Sequence, residues 1–449
     1  MKKSIIYIVS IVLFLSATGF IILRYKERTG SNSTKYYKLK EREGVLAKNV
    51  EWTSVKSTWL NLVKTVHTNP NDIRSTIALA TLYLQEARIT GDYSYYDAAA
   101  MKYINGILVK DPKNFMALSL KALVELSQHH FEDGLNTAKQ AQKINPYNAF
   151  VYGTLVDGNV EMGNYKEAVE NSDKMISIRP DIRSYSRISY LREIHGDYPG
   201  AIEAMKMAVD AGPAGDESTA WARVQLAQLY EYTGDLTSAE MYYTIALQQR
   251  PGFAYALGGL AQIETSRSDH KKAIEYYQKA AETITDFHFK ERLVEVYRVT
   301  GNTDKADEMA EEIINEMSKA AEEALRDPEA GHYTDRELAY AYLGINNTTK
   351  ALEHALAEYN RRPRNIDVNE TLAWVYYKSG NYGKALTHIN AALKTGSKNP
   401  LLLSRAGLIY VAAGEKEKGR SYLNNAVMNN ANFDIALRSE AIKTLKQLK

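Results

Sequence analysis

The sequence predicts an all-α protein built as a solenoid of helical hairpins. Three observations predict this fold class: a short motif from Gly to Ala that recurs along the chain, apolar residues at helical spacing between its copies, and Pro residues between the units. The steps between successive motifs are 33, 38, 34, 33, 45 and 34 residues, measured at Ala168, Ala201, Ala239, Ala273, Ala306, Ala351 and Ala385. A period of about 34 residues is typical of a repeat architecture.

The recurring motif has the properties of a turn between two antiparallel helices. In GNYKEA, residues 163–168, Gly is suited to the position just past a helix end, where the backbone turns left-handed. The Asn that follows can cap the next helix by accepting a backbone N–H bond. The Ala allows two helix axes to cross closely. Variants of the motif begin at Gly196, Gly234, Gly301 and Gly380.

Proline marks the joints between hairpins. Pro112, Pro146 and Pro180 are spaced 34 residues apart, and proline neither continues a helix nor allows helical backbone easily in the residue before it. Between Tyr147 and Pro180 the unit contains one helix before the motif and one helix after it. Each repeat is therefore predicted to be one hairpin followed by a Pro-containing joint.

Position by position, the repeats resemble the tetratricopeptide repeat family. The matching residues of two repeats are Leu226, Ala227, Tyr230, Gly234, Ala239, Tyr243, Ala246 and Pro251, and Leu372, Ala373, Tyr376, Gly380, Ala385, Ile389 and Ala392. The resemblance covers most of the chain, and from about Gly196 onward the chain is also similar to a group of bacterial membrane-anchored repeat proteins. It implies a right-handed superhelix with a concave face that binds another protein.

Four segments are expected along the chain. They are an N-terminal transmembrane anchor at residues 1–23, a basic polar tether at 24–50, an array of about ten repeats at 51–433, and a C-terminal capping helix at 434–449. The anchor is predicted because residues 4–23 contain no charge over 20 residues, enough for a helix to cross about 30 Å of hydrocarbon. A cleaved signal peptide is the alternative interpretation of the same segment.

The predicted location of the repeats follows from the charges that flank the apolar segment. Lys2 and Lys3 precede it, while Arg24, Lys26 and Arg28 follow it. A short basic tail ahead of an apolar run commonly acts as a signal anchor, although the second basic group favours the opposite orientation. We expect a single-pass membrane protein whose repeats lie outside the cytoplasm, in the periplasm or at the cell surface.

Composition and motifs argue against several classes of function. The chain contains no Cys, which excludes disulfides, thiolate zinc sites and a Cys nucleophile. A formal net charge of +2 and the lack of an RNA-binding motif do not favour nucleic acid as a partner. There is no HExxH, GxSxG or Walker loop. We therefore expect no catalytic activity, no metal site and no cofactor.

Carrying over the family register places aromatic and Arg side chains on the concave face. These types are enriched where binding energy concentrates in interfaces. The residues predicted to contact a partner are Arg187, Tyr190, Trp221, Tyr255, Arg292, Arg336, Tyr340, Trp374 and Arg405. The expected function is a scaffold that binds an extended segment or a helix of another protein near the membrane. The alternative is capture of envelope glycan or peptidoglycan, since Tyr and Trp faces also stack on sugars.

Overall fold

A computed structural model describes residues 37–326, 331–429 and 434–448. Within these ranges it contains 22 α-helices and no strand. The helices, α1 to α22 in chain order, are Glu51–Thr68, Ile73–Thr90, Tyr93–Lys110, Phe115–Ser127, Phe131–Ile144, Ala149–Glu161, Tyr165–Ile178, Ile182–Ile194, Tyr198–Ala211, Glu217–Tyr232, Leu236–Gln249, Ala254–Ser266, His270–Thr283, Phe287–Val299, Thr303–Arg326, Asp335–Gly344, Thr348–Arg361, Ile366–Lys378, Tyr382–Ala392, Pro400–Ala412, Lys416–Asn429 and Ile435–Gln447.

Helices α2 to α21 form ten consecutive hairpins, numbered here 1 to 10, each packed against the next. Helix α1 precedes hairpin 1, and α22 packs against both helices of hairpin 10. The all-helical solenoid predicted from the repeats is thus confirmed. Each hairpin consists of an inner helix, the even-numbered one, followed by an outer helix.

Every one of the ten hairpin turns contains a residue with positive φ. Glycine occupies this position in seven turns, as the recurring motif predicts, for example Gly163 at +74° and Gly380 at +73°. In the other three turns the residue is His129, Ser268 or Asn346, with φ of 60° to 64°. Those turns escape a search for Gly, although Asn and His tolerate this conformation better than most residues do.

The Ala residues that close the motif lie at the helix crossings. All seven have 0% of their surface exposed: Ala168, Ala201, Ala239, Ala273, Ala306, Ala351 and Ala385. Around each of them the two helices of a hairpin share a small apolar cluster, such as the one formed by Val224, Ala227, Ala239 and Tyr243. The core is therefore a continuous series of such clusters along the array, as expected when each repeat buries its apolar face against its neighbours.

The array closes on itself, because hairpin turns early in the chain contact joints about 200 residues later. In hairpin 1, the Thr90 carbonyl accepts a hydrogen bond from Thr285 N at 3.1 Å. In hairpin 2, the Gln128 carbonyl accepts one from Tyr333 N, also at 3.1 Å. A Cβ added at Gly196, in hairpin 4, would overlap the Gly396 carbonyl. Each of these turns meets the joint that precedes the sixth hairpin further on, so one superhelical turn contains six hairpins.

The contact between hairpin 3 and the joint before hairpin 9 is the most polar of the series. Asn365 Nδ2 donates to the carbonyl oxygens of Val160 at 3.3 Å and Glu161 at 3.0 Å. Tyr165 Oη accepts from Ile366 N at 2.9 Å. The Arg362 guanidinium forms a salt bridge with the Glu161 carboxylate. We refer to these contacts and their equivalents in hairpins 1, 2 and 4 as the turn-to-joint contacts.

By its internal contacts the chain divides into two units, Met1–Glu41 and Arg42–Lys449. The expected anchor at residues 4–23 lies outside the described residues. Among the residues that are described, no helix has the length and apolar character needed to span a bilayer.

Residues 42–48, within the segment expected to be a tether, pack against the repeats of the second unit. The buried Arg42 guanidinium binds Glu86 on α2 at 2.6 Å and Glu51 on α1 at 2.9 Å. Glu51 in turn binds Arg250 at the joint before hairpin 6, at 2.7 Å. Leu46 is buried in the cluster of hairpins 6 and 7. The packed structure therefore begins before α1.

Candidate binding cavity

The inner helices of the second superhelical turn surround a cavity of about 1380 Å³. Its lining comes mainly from α14, α16, α18 and α20, with contributions from α15, the cap helix α22 and the turns of the first three hairpins. The lining combines apolar, aromatic and charged side chains. Since ligand sites for drug-sized molecules measure roughly 300 to 1000 Å³, this space is large enough for a bigger ligand.

Six of the nine residues predicted to contact a partner line this cavity: Tyr255, Arg292, Arg336, Tyr340, Trp374 and Arg405. They lie on α12, α14, α16, α18 and α20, which are all inner helices. The family register therefore brings these side chains to a single space. Whether they contact a partner stays a prediction.

Four of the six form one cluster around Arg405. The Arg405 guanidinium donates to Tyr340 Oη at 2.7 Å and to Glu370 Oε1 at 3.0 Å. Its centre lies 5.0 Å from the Tyr340 ring and 5.2 Å from the Trp374 ring, within the range of cation–π attraction. Arg336 lies 5.9 Å from the other side of this group, at the Tyr340 ring. The side chains hold one another in place across three hairpins.

Two members of this cluster are largely inaccessible. Arg405 and Trp374 are each 8% exposed. Trp374 stacks on Tyr377 at 4.9 Å and packs against Leu408 and Leu437, the latter on the cap helix. Both residues therefore stabilise the joined hairpins, and only their edges are available to a ligand.

The remaining cavity-lining cations also have partners within the chain. Arg292 binds Glu295 on the same helix at 2.9 Å. Arg336 donates to Thr371 Oγ1 at 3.3 Å. Lys378 binds Glu440 on the cap helix at 3.3 Å. Most of the positive charge in the lining is thus balanced by carboxylates of the chain itself.

Arg187, Tyr190 and Trp221 do not line the cavity. Arg187 forms a two-pronged salt bridge with Asp157 on the preceding inner helix, at 2.6 and 2.9 Å. Trp221 is half-buried between the clusters of hairpins 4, 5 and 6. Tyr190 is 38% exposed on α8. These three residues belong to the first superhelical turn, away from the cavity formed by the second.

Three carboxylates of the lining, Asp286, Glu291 and Glu337, have no salt bridge to any described residue. Asp286 caps α14 by accepting from His288 N at 2.9 Å. One carboxylate oxygen of Glu337 is buried without a hydrogen-bond partner in the described part of the chain. Burial raises the pKa of Glu291 to about 8; Arg292 opposes this shift, and the charges of Glu295, Glu337 and Asp286 add to it.

Three histidines line the cavity in their neutral form. Burial lowers the pKa of His129 to about 4 and those of His288 and His332 to about 3. The rings of His129 and His332 lie 4.2 Å apart at the contact between hairpin 2 and its joint. His129 Nδ1 donates to the Tyr333 carbonyl oxygen at 2.7 Å. In the ranges that the structure describes, no group of His, Asp and Glu could hold a metal ion.

An array of antiparallel hairpins whose inner helices enclose a space defines a helical repeat protein of the solenoid class. The model of the tetratricopeptide repeat matches residues 224–286 and 370–435. The chain is a tetratricopeptide repeat protein, as the sequence motifs predict.

Known proteins similar to this chain carry the same repeat. Small glutamine-rich tetratricopeptide repeat-containing protein 2 of Saccharomyces cerevisiae is 28% identical over 103 residues, which is 23% of this chain and 29% of that relative's length. The human IFIT1 dimer with m7Gppp-AAAA is 14% identical, with a TM-score of 0.48 over 77% of this chain and 78% of that chain. A tetratricopeptide repeat protein from Parabacteroides merdae is 20% identical, with a TM-score of 0.33 over 59% and 98%.

Proposed function

We propose that this chain is a non-catalytic, membrane-tethered scaffold whose cavity binds an extended segment of another protein. The observation that carries the proposal is the cavity of about 1380 Å³ lined by inner helices of four successive hairpins. Its length across several repeats suits a chain segment better than a compact small molecule. Tetratricopeptide repeat proteins are in general protein-interaction scaffolds, and this supports the same conclusion.

The glycan alternative receives no support from the aromatic side chains. Sugar stacking needs an open aromatic face, whereas Trp374 is covered by Tyr377 and approached by Arg405. Trp221 is engaged in packing between hairpins. We therefore take a protein segment, and not a glycan, as the ligand of the cavity.

Selection of peptides against the full chain tests the binding site. A display library of random 12-residue peptides should yield binders, and the cavity-filling variant Ala341→Trp should lose them. Ala341 lines the cavity, and an added indole would occupy part of it. The matched control is Met241→Trp, at an exposed position outside the lining, which should keep binding. Selected peptides that bind Ala341→Trp and wild type equally would place the site elsewhere.

Membrane tethering is tested separately, because it depends on residues 4–23 and not on the repeats. A C-terminal reporter active only outside the cytoplasm, compared with one that fluoresces only inside, gives the side of the membrane. Fractionation of the same cells shows whether the chain stays in the membrane. External activity with membrane retention is expected; a soluble chain would overturn the tether, and internal fluorescence would overturn the proposed orientation.

A further inference from the structure

The charge of the cavity is opposite in sign to that of the whole chain. Nine Asp and Glu residues line it, against five Lys and Arg residues, and the three histidines are neutral. The chain as a whole has a formal net charge of +2. A buried or half-buried excess of negative charge is unfavourable unless a cation compensates it. A ligand that supplies positive charge would therefore be favoured over a neutral or acidic one.

The excess is concentrated on one wall, where α14 and α16 begin. Asp286, Glu291 and Glu337 lie there, and the charges of Asp286 and Glu337 both raise the pKa of Glu291. The carboxylates of Glu291 and Glu337 form no salt bridge or hydrogen bond with another described residue. Arg292, the nearest cation in sequence, is already bound to Glu295. This wall, which we call the acidic wall, lacks a counter-charge within the described chain.

A second observation at the same wall shows which kind of group is missing. Thr334 lines the cavity beside the first turn of α16 and is 8% exposed, yet its Oγ1 has no hydrogen-bond partner among the described residues. Thr334 precedes α16 at the capping position without capping it. The buried Oε2 of Glu337 can only accept. The groups left unsatisfied are therefore acceptors, or, for Thr334, a hydroxyl able to accept, and they call for a donor.

An aromatic ring completes the wall. Tyr255, on α12, lines the cavity, and its hydroxyl is hydrogen-bonded to Asp286. A Lys ammonium or Arg guanidinium near an aromatic face gains about 0.5 to 2 kcal/mol from cation–π attraction. Lys has three donors and Arg has five, and neither accepts a hydrogen bond. Carboxylates, unsatisfied oxygens and an aromatic ring together fit such a side chain.

The opposite wall does not favour an acidic ligand. Arg405 is 8% exposed and already shared between Glu370 and Tyr340. Lys378 is bound to Glu440. A ligand carboxylate would have to displace these partners, whereas a ligand cation at the acidic wall displaces none.

We propose that the segment bound in the cavity is basic, with a Lys or Arg side chain placed among Asp286, Glu291 and Glu337 against the Tyr255 ring. The proposal rests on the proposed function, since it names the chemistry of the segment that the cavity holds. It requires no metal or cofactor.

Three labelled peptides test the proposal by fluorescence anisotropy with the full chain. They are 12 residues long and identical except for Lys, Ser or Glu at alternate positions, and they are compared at one ionic strength. The Lys peptide should bind at least tenfold more tightly than the Ser peptide, which corresponds to about 1.4 kcal/mol. The Glu peptide should bind most weakly.

Two double variants separate the acidic wall from charge in general. Glu291→Gln with Glu337→Gln should weaken the Lys peptide at least tenfold and leave the Ser peptide nearly unchanged. The control is Glu275→Gln with Glu308→Gln, which changes the net charge equally at exposed positions outside the lining. An equal loss in both double variants would show a general electrostatic effect and overturn the proposal.

The remaining outcomes distinguish this proposal from the function on which it rests. If the three peptides bind equally and Ala341→Trp abolishes their binding, the cavity holds protein segments without charge selection, and only the basic specificity fails. Tighter binding of the Glu peptide has the same consequence. If none of the peptides binds and display selection also yields nothing, the binding function itself fails.

Discussion

At the scale of single residues, burial of ionisable groups sets how stability depends on pH. Glu231, on α10, is 7% exposed, and its Oε2 accepts from Tyr243 Oη at 2.9 Å. Burial raises its pKa to about 7, and the bond from Tyr243 and the charge of Arg292 oppose the shift. Because the folded pKa lies above the unfolded value, the carboxyl contributes fully below about pH 4.5, and the contribution is lost as the pH rises through 7.

We expect Glu231→Gln to flatten this pH dependence. At pH 5 the variant and the wild type should have similar free energies of unfolding, because the native carboxyl is protonated and resembles the amide. At pH 8 the variant should be more stable, by up to about 3 kcal/mol. Guanidinium titrations at pH 5, 6.5 and 8 measure the effect. A stability difference that is the same at all three values would contradict it.

Single residues also show what the sequence could not reveal about the site. Register placed Arg405 and Trp374 on the inner helices, and they do line the cavity. It could not show that both would be about nine-tenths buried, because their covers, Glu370 and the cap helix, come from other repeats. Glu291 occupies the same register position in its hairpin as Arg336, but its significance depends on the missing counter-charge, which only the packed structure shows.

At the scale of the helix and turn, two glycines offer a matched comparison. Gly163 and Gly380 occupy the same position of the hairpin turn, with φ of +74° and +73°. A Cβ on Gly163 would overlap the Arg364 carbonyl, whereas a Cβ on Gly380 would meet nothing within 4 Å. The two sites share the backbone strain and differ in the turn-to-joint contact.

We expect Gly380→Ala to cost about 1 kcal/mol, the usual cost of a left-handed Ala. Gly163→Ala should cost at least about 2 kcal/mol more, because the added methyl group must separate hairpin 3 from its joint. Denaturation midpoints of the two variants give the difference directly. Equal midpoints would mean that hairpin 3 does not contact the joint in solution.

Asn365 provides an independent test of the same contact. Its side chain caps α18 through Oδ1 and donates through Nδ2 to the carbonyls of residues 160 and 161. Asn365→Asp keeps the cap and sets a carboxylate against two carbonyl oxygens, so we expect a loss of about 3 kcal/mol. Asn148 caps α6 through the same kind of bond, and Asn148→Asp should stay within about 0.5 kcal/mol of the wild type. Thermal or chemical unfolding of the pair measures the contrast.

The elements themselves were largely predictable, because their signals are local. Gly, Asn or Asp, and Ala at fixed offsets indicate a turn and a helix crossing wherever they occur. The turn at His129 lacks the Gly, and its backbone conformation is accompanied by a bond from the imidazole to a residue 204 positions away. Local patterns fail where a distant segment contributes to holding the turn.

At the scale of the whole molecule, the contact of hairpin n with the joint before hairpin n + 6 is the property that the sequence could not supply. The family resemblance implies a superhelix, but small rotations per repeat decide whether successive turns touch. Here they touch at hairpins 1, 2, 3 and 4, through Thr90, Gln128, Gly163 and Gly196. The cavity depends on this closure, because turns of hairpins 1 to 3 form part of its lining.

Spin labels can measure the closure, and the chain has no native Cys to interfere. With Cys at positions 166 on α7 and 387 on α19, electron–electron double resonance should give one narrow distance distribution. Adding Gly163→Val should broaden it and shift it to longer distances. A second label pair at positions 166 and 203, in adjacent hairpins, should be unchanged. A broad distribution between 166 and 387 in the otherwise unaltered chain would show that the superhelical turns are not joined.

The spacing of the turn-to-joint contacts also bears on synthesis of the chain. When hairpin 3 has left the ribosome, the segment that covers its turn is about 200 residues from being made, which takes roughly 10 to 40 s at typical elongation rates. Each early hairpin can fold with its neighbour during that time, but the cavity cannot exist until hairpins 7 to 10 arrive. The nascent protein is consequently unable to bind its ligand until translation is nearly finished.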